Sequence, residues 1–105
     1  MGGTTNLVPL ITFFKSISGK LGLQRVILFG SRAEGTAGKE SDYDFILVSG
    51  KFEGKKFHER PAQLYHAWNL DAPADFVCLT PKEFESKAKR VSIVSHALKH
   101  GITII

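Results

Sequence analysis

Two aspartates one residue apart, Asp42 and Asp44, follow a glycine-serine pair, Gly30 and Ser31, with ten residues between the pair and the first aspartate. Each half of this stretch has its own chemistry. A glycine directly after an apolar run lets the backbone turn sharply and approach a ligand closely. Ser31 then offers a hydroxyl and an amide where a helix should begin, and the free N–H groups and dipole of a helix start attract phosphate. Arg32 adds a forked cation suited to phosphate oxygens. The stretch is not a P-loop, because the lysine-serine or lysine-threonine ending of that motif is absent.

At the start of a strand, Asp42 and Asp44 point to one face, roughly 6.5 to 7 Å apart at the backbone, close enough to hold one shared cation or a pair. Oxygen ligands of this kind suit magnesium, which commonly bridges carboxylates to substrate phosphates. Asp75 begins another apolar run, and if that strand pairs beside the second its carboxylate joins the first two. Three carboxylates could hold two metals, stabilising the attacking and leaving oxygens of an in-line displacement at phosphorus. A plain turn would explain Asp42 alone. Asp44 and Asp75 are harder to explain that way, since each is embedded at the start of a strand that otherwise reads as buried, "FILV" and "FVCL". Asp71 is an exposed rival to Asp75 in the preceding loop.

The elements that must position these groups can be read from periodicity. Leu7, Leu10, Ile11, Phe14, Ile17 and Leu21 recur at helical spacing, which predicts a helix over 7–20 stopped by Gly19 and Gly22. "RVILF", 25–29, predicts a buried strand; 31–41 a short helical turn followed by a loop; and "YDFILVS" a second strand. A helix is expected over 57–68, with Pro61 in its first turn or kinking it. "ADFVCLT", 74–80, reads as a third strand. A helix follows at once, with Thr80 as cap and Pro81 at its first position. Residues 92–100 predict a last helix with Gly101 as C-cap, before a terminal strand "ITII". The order implies an α/β or α+β fold, with a small mixed sheet of about four strands and helices packed against it.

At 105 residues the chain is expected to form a single domain over 1–105 that folds alone. A hydrophobic share of 43% and a charged share of 23% exclude disordered and fibrous classes. The net charge of +4 favours acidic partners, but the basic residues are scattered. Only Lys87, Lys89 and Arg90 cluster, and they read as a solvated helix face. One cysteine, Cys78, cannot form an internal disulfide, which points to the cytoplasm. The apolar run from Val8 to Phe14 contains Pro9 and stops at Lys15, so neither a signal peptide nor a membrane span is expected. Asn6 in "MGGTTN" stands where a myristoylation signal would want serine or threonine.

"GSRAEGTAGKESDYD" resembles the signature of the DNA polymerase beta superfamily of nucleotidyltransferases, glycine-serine followed by ten residues and Asp-x-Asp. The short chain is similar to the minimal nucleotidyltransferases of archaea and bacteria. "PADFVCLTPKEFESK" and "SIVSHALKHGI" resemble the closing part of such proteins, so the likeness runs from about Arg25 to the C-terminus. The resemblance implies that Gly30 and Ser31 hold a nucleoside triphosphate, with Arg32 as a phosphate contact. It implies that Asp42 and Asp44 bind magnesium and that Asp75, the third carboxylate, helps to activate the attacking hydroxyl. Two Mg2+ ions and ATP or another triphosphate are the expected ligands.

Larger members of that superfamily carry extra domains that grip the acceptor, so a separate partner is expected. Many minimal nucleotidyltransferases resemble the antitoxin of a toxin-antitoxin pair, encoded beside a helical HEPN-type protein that they modify on a tyrosine. The favoured expectation is Mg-dependent transfer of a nucleoside monophosphate, AMP from ATP, to a hydroxyl on a protein or RNA partner. The alternative is a non-catalytic module that neutralises a HEPN-type partner by contact. A homo-oligomer is compatible with either case.

Other chemistry-bearing residues have simpler readings. His96 and His100, four apart, have no acidic partner in sequence reach and read as solvated or capping a helix C-terminus. Cys78 reads as a small core residue, and Leu64, Tyr65 and Trp68 as helix core packing. Glu53, Glu59 and Glu83 fall in turn or helix-start contexts that need no catalytic role.

Overall fold

The computed structural model describes residues 6–36, 38 and 41–105. "MGGT" and Thr5, which precede the Asn6 of the myristoylation reading, and Ala37, Lys39 and Glu40 in the motif's loop lie outside the described residues.

Helix α1, Val8–Leu21, buries Leu10, Phe13, Phe14, Ile17 and Leu21 along one stripe, the period of 3.6 seen in the sequence. It ends where Gly22 turns left-handed at φ 61° and donates its N–H to Ser18 O. Strand β1, Arg25–Phe29, leads through Gly30 into a single helical turn, α2, Ser31–Glu34. Strand β2, Tyr43–Val48, pairs antiparallel with β1, setting Phe29 opposite Asp44.

The expected helix over 57–68 is interrupted. A 3₁₀ turn spans Phe57–Glu59, and helix α3 runs only from Ala62 to Ala67, because Pro61 has no N–H to extend a helical ladder and stands at the N-cap instead. α3 lies in the crossover that a parallel strand pair requires. Strand β3, Ala74–Leu79, then pairs parallel with β2 and places Asp75 opposite Asp44.

Helix α4, Pro81–Ala88, opens on a capping box in which Thr80 Oγ1 accepts from the Glu83 N–H and Glu83 accepts from the Thr80 N–H. Helix α5, Ile93–His100, has a similar box between Ser92 and Ser95. Gly101 ends α5 with an extended backbone, φ −86°, not a left-handed one. Glycine is needed there for space, since a Cβ would lie 2.5 Å from Ala97 O and 2.7 Å from Leu28 O. Strand β4 is shorter than expected, Ile102–Thr103, although the hydrogen bonds from Ile104 and Ile105 N–H to Val26 O prolong its contact with β1.

The sheet order is β3-β2-β1-β4, a mixed four-stranded sheet with helices on both faces. Strand alternation divides its side chains. One face presents Val26, Leu28, Tyr43, Phe45, Leu47, Phe76 and Cys78 to α1 and Leu64 of α3. Its centre is aromatic, with Phe14 edge-on to Phe45 at 4.8 Å, Phe45 stacked on Phe76 at 5.7 Å, and Trp68 against both. Burying each such ring contributes about 2–3 kcal/mol. The other face carries Ile27, Ile46, Val48 and Leu79 beneath Phe84 of α4 and Val94 and Ala97 of α5. Asp44 and Asp75 share that second face by the same alternation. No helix among the described residues is long and apolar enough to cross a membrane.

Candidate active site

Three chain segments meet at one end of the second face. β1 arrives with its C-terminal end, whereas β2 and β3 arrive with their first residues. The antiparallel and parallel registers therefore bring Gly30, Asp44 and Asp75 side by side.

Gly30 adopts φ 77° and ψ −160°, a conformation open essentially to glycine. A Cβ on it would stand 2.6 Å from Asp44 Oδ2. The missing side chain is thus what lets the start of α2 press against the Asp44 carboxylate. Ser31 is the first residue of α2, where N–H groups have no intrahelical acceptor.

Asp44 is partly buried, and its carboxyl is pushed above its ordinary value of 3.8, first by burial and then by the charges of Asp75 and Asp42. Repulsion from both neighbours places the three predicted carboxylates in one electrostatic cluster. Asp42 precedes β2 and is exposed. Asp75 pairs beside Asp44 but is exposed, not embedded as its sequence context suggests, because β3 is an edge strand. In the present rotamers no three acidic, histidine or cysteine side chains among the described residues already enclose a metal-sized point.

Arg32 is engaged within the protein. Its Nε and Nη2 donate to Ser41 O at 2.9 and 2.6 Å, its Nη1 donates to the Tyr43 hydroxyl at 3.3 Å, and its guanidinium lies 4.1 Å from the Tyr43 ring centre. It therefore ties α2 to the backbone just before Asp42. Asp71 stays exposed in the loop before β3, outside the strand register.

Three residues play parts that their sequence context does not reveal. Tyr65 is 48% exposed instead of packed in the core; its hydroxyl donates to Asp75 Oδ1 and accepts from the Phe76 N–H, both at 3.4 Å. Helix α3 is too short to bury it, and Leu64 and Trp68 carry the packing. His96 does have an acidic partner, Glu34 at 3.3 Å, supplied from α2 sixty-two positions away. Arg60 donates to Glu83 at 2.7 Å and to Cys78 O at 3.1 Å, closing part of the β3 edge. The hydroxyl, imidazole and guanidinium were visible as residue types; their partners lie too far along the chain for any spacing rule to find. Cys78 is the core residue expected, its thiol pushed up to about 12 by burial.

A family model described as the nucleotidyltransferase domain matches residues 10–101, which extends the likeness back into α1. No curated protein matches. Among solved structures, a crystal structure provisionally named as a nucleotidyltransferase from Sulfolobus solfataricus aligns with a TM-score of 0.57 at 19% identity, covering 91% of this chain and 79% of that one. At that identity the match speaks for the fold, which among the described residues is a four-stranded mixed sheet with five helices.

Proposed function

This chain belongs to the nucleotidyltransferase domain family, and on that premise we propose that it transfers a nucleoside monophosphate, AMP from ATP in the first instance, to a hydroxyl on a protein or RNA partner. The observation that carries the reading is the register of Asp44 against Asp75, with Gly30 pressed onto the Asp44 carboxylate. An arrangement that crowds like charges has a cost in stability, and such costs concentrate at functional sites.

Hard oxygen donors that repel one another suit a small divalent cation. Asp42, Asp44 and Asp75 would hold Mg2+, two ions in the full complement. The metal supplies neutralisation of phosphate charge and polarisation of the reacting phosphorus. Gly30 and Ser31 bind the triphosphate with backbone N–H groups at the start of α2. Asp75, exposed to an incoming acceptor, receives the proton of the attacking hydroxyl. Catalysis then rests on positioning and charge, as in phosphoryl transfer generally.

The partner we propose is a HEPN-type helical protein, in the cytoplasm, with this chain acting as the antitoxin of a pair. Incubation with α-labelled ATP, Mg2+ and that protein should move label to the partner, and Asp44→Ala should stop it. Equal labelling by wild type and variant would remove the catalytic assignment. A purely contact-based module would retain its hold on the partner after all three aspartates were changed to alanine, and the crowding of like charges gives that alternative no benefit.

A further inference from the structure

Resting on the nucleotidyl-transfer reading, we propose that the protein modifies itself: Tyr65 is an acceptor hydroxyl, and the chain places one nucleoside monophosphate on its own phenolic oxygen.

The inference starts from what touches the third carboxylate. Among the described residues, Tyr65 is the side-chain hydroxyl that hydrogen-bonds to any of the three aspartates, donating to Asp75 Oδ1 at 3.4 Å. A nucleophile and a base within hydrogen-bond reach are the signature of an activated nucleophile, and such contacts are often long before substrate binds. The hydroxyl is also held from behind, because the Phe76 N–H donates to it at 3.4 Å and the Tyr65 ring sits edge-on to Phe76 at 5.0 Å. It is therefore positioned and not merely tethered, while nearly half the side chain remains open to solvent.

Direction across the sheet supplies the second part. From β1 to β2 to β3 the site runs Gly30, Asp44, Asp75, and Tyr65 stands beyond Asp75 at the free edge of β3. A triphosphate whose tail is held at Gly30 and Ser31 must lose pyrophosphate toward β1. In-line displacement then requires the attacking oxygen on the opposite side of the α-phosphorus, which is the β3 edge where Tyr65 lies. In the step, Tyr65 Oη forms a bond to the α-phosphorus, the bond from that phosphorus to the bridging oxygen breaks, pyrophosphate leaves with that oxygen, and the phenolic proton passes to the Asp75 carboxylate. The nucleoside triphosphate is the only co-reactant. The modified tyrosine would cover Asp75, so the product blocks the acceptor side of its own site.

The test is the intact mass of the protein alone after incubation with Mg2+ and each of the four common nucleoside triphosphates. A gain of one nucleoside monophosphate, mapped by peptide fragmentation to Tyr65 and absent in Tyr65→Phe and Asp44→Asn, is the expected result. Mapping on the wild type keeps the proposal falsifiable even if a variant misfolds. Binding of an α,β-methylene triphosphate with Mg2+, measured by calorimetry, separates the two readings. If the analogue binds but Tyr65 stays unmodified, self-modification is overturned and the nucleotide site stands; if it does not bind, both fall. A modification rate that drops on dilution would assign the acceptor to a second copy and overturn attack within one chain.

Discussion

Near its two ends, β3 meets carboxylates treated in opposite ways. At its start, Asp75 stands beside Asp44, and burial and repulsion push the Asp44 carboxyl up. Toward its end, Arg60 bonds both Cys78 O and Glu83, and that guanidinium, followed by the Thr80 N–H, holds the Glu83 carboxyl below its ordinary value of 4.5. The first cluster gathers like charges, and the second bonds a cation to its carboxylate. The contrast separates a carboxylate arranged to receive a ligand from one arranged to fasten a helix start.

The largest expected effect comes from removing a charge of the first cluster. Asp44→Asn should reduce nucleotidyl transfer by roughly 10³-fold, the scale of losing a principal electrostatic group from a site, as read by steady-state labelling. The same variant should be more stable. Folded Asp44 holds its proton more tightly than the unfolded chain does, so its ionisation opposes folding. That penalty is absent below the ordinary value of 3.8 and grows in as pH rises through the raised folded value. The gain in Tm should appear at neutral pH and vanish in acid. Mg2+ should raise the Tm of the wild type by binding the folded state, and not that of the variant; a variant that melts lower at neutral pH would break the comparison.

Gly30→Ala comes next. A residue with a Cβ held at φ 77° and ψ −160° costs about 1–3 kcal/mol of stability, and displacement of Asp44 should weaken nucleotide binding by roughly tenfold, a change of about 1.4 kcal/mol. Calorimetric titration with a nucleotide analogue would measure it.

At the other end of β3 the losses should fall on stability instead. Arg60→Ala removes a donor from Cys78 O and leaves Glu83 only the Thr80 N–H; it should cost about 1–3 kcal/mol in urea unfolding, with nucleotide binding unchanged. A matching drop in binding would show that the two clusters are coupled.

The smallest effect sharpens the sign. Glu83→Gln should cost under about 1 kcal/mol, because the carboxylate is substantially solvated and its charge screened. Glu83 has a lowered folded pKa, so its contribution is full above 4.5 and is lost as pH falls through the lowered value. Melting curves of variant and wild type should therefore converge in acid, the reverse of the Asp44 case in which ionisation is the penalty.

Much of the scaffold was legible locally. The apolar stripe of α1, the runs of β1, β2 and β3, and the Thr80 cap are short-range patterns, and each element formed where its pattern lay. The 57–68 segment departed from its pattern because hydrophobic spacing continued across Pro61 while the hydrogen-bond ladder could not. Gly101 reads correctly as a helix end, but the reason, a carbonyl of β1 pressed against it, belongs to packing.

For the site, residue types and spacing brought Gly30, Ser31, Asp42 and Asp44 into a single motif, since a fixed short separation along one chain limits where the parts can go. That Asp75 would join them depended on β3 pairing in parallel with β2, in a register no local rule specifies. The sequence by itself determined which oxygen ligands and which glycine were present, and the face on which Asp44 and Asp75 lie, because alternation along a strand is a local property. Only the tertiary structure decided that Gly30 touches Asp44, that Tyr65 reaches Asp75 around a free sheet edge, and that Arg60 completes Glu83. Those contacts join residues whose closeness comes from strand order and crossover, and chain separation carries no information about either.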